Sequence, residues 1–324
     1  MTVIEFILEV PRLLAVAVVV ATPLALGAYS GLFCERAGVV NIGIEGMMLS
    51  SALTGQLVAQ YVATGWIGTP LEPYGLPFAA LVGILTGAAL GALHAVLTIR
   101  FKVDQIISGT AINILAVGGT GALYTLYLAG GTAAGVPISP GVFEAIRIPF
   151  LADIPILGPI FFDNKPITYA MLIITVLAHF VIFHTPWGLR TRAVGEKPEA
   201  ADSLGINVYT MRYINVIIGG ALAGLAGIWF TLEDIGTFNV LMTGGRGFIS
   251  LAALIFGKWT AFGGFGASLI FGFAQAVQIY LQNQGSPIPP QFLNMVPYVL
   301  TMLVLAGLIG RAVPPAADGV PYEK

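Results

Sequence analysis

The sequence predicts an all-α polytopic membrane protein with about 8–10 transmembrane helices, some short or broken. Three observations carry that prediction. Apolar residues make up 57% of the 324-residue chain and charged residues 9%, against about 25% charged in a soluble domain. Apolar runs long enough to cross a bilayer, which takes about 20 residues at ~1.5 Å each, recur along the whole length. The 41 glycines suit helices that must approach closely where lipid supplies no hydrophobic drive between them. The chain is expected to form one transmembrane domain over residues 1–324.

The first run, Leu13 to Phe33, follows Glu5 and Glu9 where a cleaved leader would be basic, so it is expected to be a retained span. CERAGVVNIGIEG is too polar and glycine-rich for a lipid-facing helix. Met47 to Val62, Phe78 to Ile99 and Ile106 to Leu128 resume the apolar pattern. Arg100 and Lys102 mark a cytoplasmic turn by the positive-inside rule. Ala129 to Pro166, rich in Gly and Pro, is expected to be a large external loop, and Ile167 to Phe183 returns inward. Ile214 to Leu232 crosses outward and ends at Glu233 and Asp234, expected to be exposed. Phe248 to Gly257 is only half of a span. Gly264 to Leu281, an external loop and Phe292 to Ile309 follow, then a polar tail. Parity puts the N-terminus outside unless residues 34 to 46 make a broken crossing. A broken crossing is the expectation, since irregular backbone at membrane depth is tolerated inside protein or facing a water-filled cavity.

Glu45 to Leu53 aligns with Arg246 to Leu254, and Gly91 to Val96 (GALHAV) with Gly272 to Val277 (GFAQAV). The pattern suggests an internal repeat with halves 1–166 and 167–324. Corresponding glycine-interrupted segments in two halves point to a transporter's binding site. Glu45 is an ionisable group near membrane depth, and such groups are expensive and functional by default. Arg246 is its counterpart, expected nearby at the pseudo-symmetric centre. Asn41 can cap a helix starting near Ile44, with Gly43 and Gly46 permitting close backbone approach. Ser108 and Asn113 share a short helical stretch, where an amide could meet a ribose hydroxyl or bind a neighbouring helix. These residues are the expected substrate path.

Seven of the 30 charged residues fall in WGLRTRAVGEKPEAADSLGINVYTMR, Trp187 to Arg212. The polar cytoplasmic loop, residues 186–213, needs a partner. Pro198 suits the first turn of a helix, Glu199 and Asp202 its positive end, and Gly205 its stop. No GxxxxGK[ST] phosphate loop occurs. Cys34 is the only cysteine, which excludes a disulfide framework and a cysteine metal cluster. His94, His179 and His184 lack metal-ligand spacing, and the last two, five apart, are expected on different sides of a helix. No nucleophile set and no basic, aromatic groove appears, so enzyme and nucleic-acid readings are disfavoured and no cofactor is expected.

Glu199-Ala200-Ala201 with Gly205 resembles the Glu-Ala-Ala loop of ABC importer permeases, though the downstream Ile-x-Leu-Pro part is absent. ERAGVVNIGIEGMML (Glu35 to Leu49), DQIISGTAINILA (Asp104 to Ala116), RTRAVGEKPEAADSLGIN and GGRGFISLAALIFGKW resemble the permeases of nucleoside-type ABC importers, relatives of ribose permeases, over nearly the whole chain. The resemblance implies a bacterial cytoplasmic-membrane subunit without its own ATPase site. It also implies a separate ATPase, a second permease chain, a basic lipoprotein as binding component and a nucleoside substrate. Glu196, Pro198, Glu199, Ala200, Ala201 and Gly205 would then contact the ATPase. Permeation of simple sugars or branched-chain amino acids, or ion-coupled transport, are the alternatives.

Overall fold

The computed structural model describes residues 3–129, 141–284 and 312–323, with isolated positions 289, 291, 292, 295, 299 and 302. It is helical throughout, apart from one small antiparallel pairing. The helices are α1 (Val3–Arg36), α2 (Ile44–Val58), α3 (Gly75–Ala95), α4 (Gln105–Leu123), α5 (Leu157–Phe161), α6 (Pro166–His184), α7 (Pro186–Glu196), α8 (Pro198–Ser203), α9 (Val208–Trp229), α10 (Arg246–Phe256) and α11 (Ala261–Asn283). α2, α3, α4 and α9 each continue into a π-helical turn. Six of the described helical segments are long and apolar enough to cross a membrane. The span expected at 292–309 falls largely outside the described residues.

α1, α2 and α9 form the buried centre. α1 packs along α11, α9 and α10, while α9 packs along α3 and α2. Glycine decides how close these helices come. A Cβ on Gly87 would lie 2.4 Å from the Gly220 carbonyl oxygen, and one on Gly220 would lie 2.4 Å from the Gly87 carbonyl oxygen. The two backbones touch there, the close approach that small residues allow between membrane helices. Gly91 of α3 abuts Val216 and Gly220 of α9, and Gly272 of α11 abuts Ala17 and Ala21 of α1.

Residues 34–46 do not make a separate crossing. Cys34 to Arg36 complete α1, and the amides of Ala37, Gly38 and Val39 donate back to the carbonyls of Cys34 and Glu35. Gly38, at φ +83°, supplies the left-handed residue this tight turn requires. α2 therefore follows α1 directly after this turn, and α1 begins at the end of its length opposite Arg36. There Leu13 and Ala17 pack against Ala276, near the end of α11.

Glu233 also departs from expectation, being only 1% exposed. Its carboxylate accepts hydrogen bonds from the amides of Ile167 (2.6 Å) and Thr168 (3.1 Å) and from the Thr168 hydroxyl (2.6 Å). A carboxylate on a helix N-terminus meets orphan donors and a favourable dipole. That local gain outweighs its preference for water. His179 and His184 likewise meet, with ring centroids 5.4 Å apart, because the rings lean together across the helix surface. In the segment between α4 and α6, β1 (Ile146–Arg147) pairs antiparallel with β2 (Asp163–Asn164), Ile146 opposite Asn164. The Phe143 amide donates to the Leu232 carbonyl and pins this loop to the end of α9.

Adding a side chain at the α3–α9 contact should prevent it from closing. We expect Gly87→Val to lower thermal stability in detergent by at least the ~1–3 kcal/mol of an overpacked core. Gly118→Ala, at a position with nothing within 4 Å, should leave the melting temperature unchanged.

Candidate functional site

The site is the meeting point of α2, α4 and α10. α10 spans 11 residues, about 16 Å of rise, roughly half of a ~30 Å hydrocarbon core. It runs beside the end of α1: Gly27 faces Ser250, Gly31 faces Leu254, and Trp259 reaches Arg36. Ile44, at the start of α2, also faces Gly27 and Gly31. Gly27 lies nine residues before Arg36, or ~13 Å. Both helices therefore begin inside the bilayer. α2 rises beside α9, whose Gly227 abuts Met48 and whose Thr231 bonds Ala52, while α10 descends.

Glu45 joins the two starts. Its Oε1 accepts from the Gly245 amide (2.8 Å) and the Thr243 hydroxyl (2.6 Å), and its Oε2 from the Gly247 amide (2.6 Å). Gly245, at φ +81°, offers no side-chain cap of its own. Glu45 fills that role from 202 positions away in the chain. A Cβ on Gly247 would lie 2.6 Å from the Glu45 Cα, so glycine is required at this approach. Arg246 lies beside the junction with its guanidinium 5.2 Å from the Phe230 ring centroid and 3.3 Å from the Met242 carbonyl. Asp234 lies within electrostatic reach of Arg246.

α2 has its own borrowed cap. Asn113 of α4 accepts from the Gly46 amide (2.7 Å) and donates to the Ile42 carbonyl (3.0 Å). The sequence suggested Asn41 for this role. Asn41 instead accepts from Gly43, two residues on, and donates towards Cys34 and Met47 sulfurs. It shapes the turn, and Gly43 rather than Asn41 is the residue flanking the helix. Gly109 comes so close that its Cβ would lie 2.8 Å from the Gly43 nitrogen. Val40 is held by Gln105 through its amide and by His94 through its carbonyl. The other His94 nitrogen meets Ser108, which is buried. Thus Asn41, Gly43, Glu45, Gly46, Ser108, Asn113 and Arg246 gather at one junction, and several act as its internal scaffold. One or two turns beyond it, a cleft of about 170 Å³ opens between α2 and α4. Ser50, Thr54 and Thr120 line it beside Leu53, Ile112 and Leu115.

The polar face beyond α6 is built on α7 and α8. Pro198 and Ala201 of α8 are buried, Ala201 in a cluster with Val194, Val208 and Met211, while Glu199, Ala200 and Leu204 face outward, Leu204 at 81% exposure. Gly205, at φ +80°, donates to the Asp202 carbonyl, and Ile206 donates to that of Ala201, ending the helix. Glu196 accepts from the Ala316 amide (3.2 Å) of the C-terminal tail. That tail, which the sequence offered only as polar, folds back here. Ala317 donates to the Gly195 carbonyl (2.8 Å), Val320 accepts from buried Arg212 (3.0 Å), and Glu323 pairs with Lys102 at 2.5 Å. Tyr322 is buried, its ring 5.4 Å from that of Tyr209. Buried Ala317 and Tyr322 in a polar terminus were the available signal. Burial pushes the Asp318 carboxyl up to about 7, while Arg212 and a hydrogen bond with the Gly319 backbone pull the other way.

Four outcomes follow from this geometry. Glu45→Ala strips the α10 N-terminus of its acceptor, so the Gly245 and Gly247 amides should lose hydrogen-exchange protection worth about 1–3 kcal/mol. Asn113→Ala should do the same at Gly46. An E45R/R246E exchange should not restore protection, because arginine has no acceptor for these amides. The tail should respond to pH. A folded-state carboxyl pKa raised above its ordinary value contributes stability that is full below that ordinary value and falls as pH rises towards the folded one. Protease cleavage of the tail should therefore be faster at pH 8 than at pH 5, and Asp318→Asn should flatten the difference.

Comparison with known proteins places the chain. The family described as "Branched-chain amino acid transport system / permease component" matches residues 13–305. The guanosine ABC transporter permease protein NupQ of Bacillus subtilis is 44% identical, with 94% of each chain covered. The nucleoside ABC transporter permease protein NupC of Lactococcus lactis is 40% identical, again over 94% of each. A putative glucose ABC transporter permease, TsgC13 of Haloferax volcanii, is 34% identical over 92% of each. No solved structure matches the chain. With nine-tenths of its length matched, a polytopic helical body and two half-helices joined through Glu45, the chain belongs to the ABC transporter permeases of the branched-chain amino acid permease family.

Proposed function

We propose that this chain is the nucleoside-translocating permease subunit of an ABC importer in the bacterial cytoplasmic membrane. The observation that carries the reading is the junction of α2, α4 and α10. Two helix N-termini of about +0.5 charge each and Arg246 are set against Glu45 and Asp234. This near balance suits a neutral polar solute better than a phosphorylated one. The adjoining cleft offers hydroxyls of Ser50, Thr54 and Thr120 beside leucine and isoleucine side chains. At about 170 Å³ it is smaller than the ~300–1,000 Å³ of a pocket for a whole drug-sized ligand, so it would hold one moiety as the solute passes. The identities with guanosine and nucleoside permeases support the substrate class.

In this reading Glu196, Pro198, Glu199, Ala200, Ala201 and Gly205 form the ATPase contact. ATP-driven closure of the ATPase subunits displaces α8, and the two repeat halves move about the junction. Such a change needs differential affinity between the ATP-bound and free states. A substrate-binding protein delivers the solute outside, and a second permease chain completes the path. That second chain is expected to be a different protein. Bacillus subtilis has a second guanosine permease, NupP, which is 26% identical to this chain where NupQ is 44%. The glucose permease relative makes a sugar the competing substrate.

The reading is tested by ATP-dependent uptake of radiolabelled nucleoside into proteoliposomes holding this chain with its second permease, ATPase and binding protein. Unlabelled nucleoside should block uptake, ribose and leucine should not, and a Glu199→Lys, Gly205→Asp variant should abolish it. Competition by ribose would move the assignment to sugars. Uptake without ATP would sink the ABC mechanism.

A further inference from the structure

The C-terminal tail occupies a place that the transport mechanism above does not use. Residues 312–323 lie between the outward-facing helix α8 and the ends of three membrane helices. Tyr322 packs in one cluster with Ala201 of α8, Val194 of α7 and Val208 and Met211 of α9. The Tyr322 hydroxyl also bonds Asp202 of α8. The tail backbone holds Gly195 and Arg212. It also closes on the α1–α2 turn, where a Cβ on Gly38 would lie 3.0 Å from the Ala317 carbonyl oxygen and 2.9 Å from Arg212 Nη2. Asp318 lies within electrostatic reach of both Arg212 and Glu35.

From Glu35 the contacts run on to α10. Glu35 accepts a 2.5 Å hydrogen bond from the Trp259 indole, and Arg36 donates twice to the Trp259 carbonyl, at 3.0 and 2.8 Å. Trp259 and Lys258 form the turn from α10 into α11, and both stand in the left-handed region, at φ +51° and +52°. Non-glycine residues there are strained and persist only where surroundings impose them. Here the end of α1 imposes them. α10 begins at Glu45 and ends at this strained turn, so whatever moves the turn moves the junction.

We propose that the tail Ala312–Glu323 is a positioning element that carries the displacement of α8 through Asp318, Arg212 and Glu35 to the α10–α11 turn. The tail contacts no solute. It links α8 to the α1 end on which the strained turn depends. This inference rests on the reading of α8 as the ATPase contact, and the test separates the two.

The experiment uses the complete importer in proteoliposomes and reads three quantities: ATPase retained with the permease on purification, ATP hydrolysed, and nucleoside moved per ATP. Two variants undock the tail by unrelated means. Tyr322→Ala removes the buried anchor, and Asp318→Lys sets a second cation beside Arg212. Each should keep ATPase association and hydrolysis near wild type while nucleoside moved per ATP falls roughly 5- to 150-fold, the span of ordinary coupling energies. Tyr322→Phe, which keeps the ring, should restore most of the coupling. A variant that merely misfolds would lower association and hydrolysis together. Leu204→Glu, on the exposed face of α8, should instead abolish ATPase association. Unchanged nucleoside per ATP in both undocking variants, with Leu204→Glu defective, would overturn the role of the tail. Leu204→Glu that still binds ATPase and transports would overturn the reading of α8 itself.

Discussion

The Glu45 carboxylate on the N-terminus of α10 is the interaction on which the rest of the membrane core depends. A helix that starts at membrane depth exposes amides with no water to satisfy them. α10 has glycine at its start and no cap of its own, so it can begin there only because α2 carries an acceptor to it. The debt is reciprocal along the chain, for α2 begins at similar depth and takes its acceptor from Asn113 of α4. Glycines 43, 46, 109 and 247 follow from these borrowed caps, since each stands where backbone meets backbone or a capping side chain.

The same physical solution recurs at the external end of the bundle. Glu233 closes α9 onto the N-terminus of α6, with Ile167 and Thr168 as donors. Glu45 and Glu233 are thus reconciled with a low-dielectric interior through helix ends, where partial positive charge is fixed in place. A cap supplied by another helix is also a joint. Displacing α2 relative to α10 breaks or remakes three hydrogen bonds at Glu45, which makes their junction a place where two discrete arrangements can differ.

At the α7–α8 end of the bundle the constraint is mechanical. α7 and α8 are attached to the bundle through few elements, and the folded-back tail adds attachments to Gly195, Arg212 and Lys102. The strained α10–α11 turn is gripped by Glu35 and Arg36 from the end of α1. The outward face of α8 and the start of α10 are therefore joined by contiguous packed groups, on one side of a bilayer-spanning body whose α3–α9 and α1–α11 contacts are too close for sliding.

The sequence by itself determined the class of protein, most of the apolar spans, the basic clusters at Arg100, Lys102 and Arg190 to Arg212, and the stop at Gly205. It also contained the family's motifs. These features are local: a run of apolar residues, a basic cluster or a helix-ending glycine acts within a few turns of itself. The tertiary structure decided how residues 37–43 turn, that Glu233 is buried, that Asn113 and not Asn41 caps α2, and that the tail docks. Each of those depends on a partner far away in the chain, 202 positions for Glu45 and Gly247 and 67 for Gly46 and Asn113. A polar residue in an apolar sequence announces that it needs a partner, but only packing selects which helix end provides one.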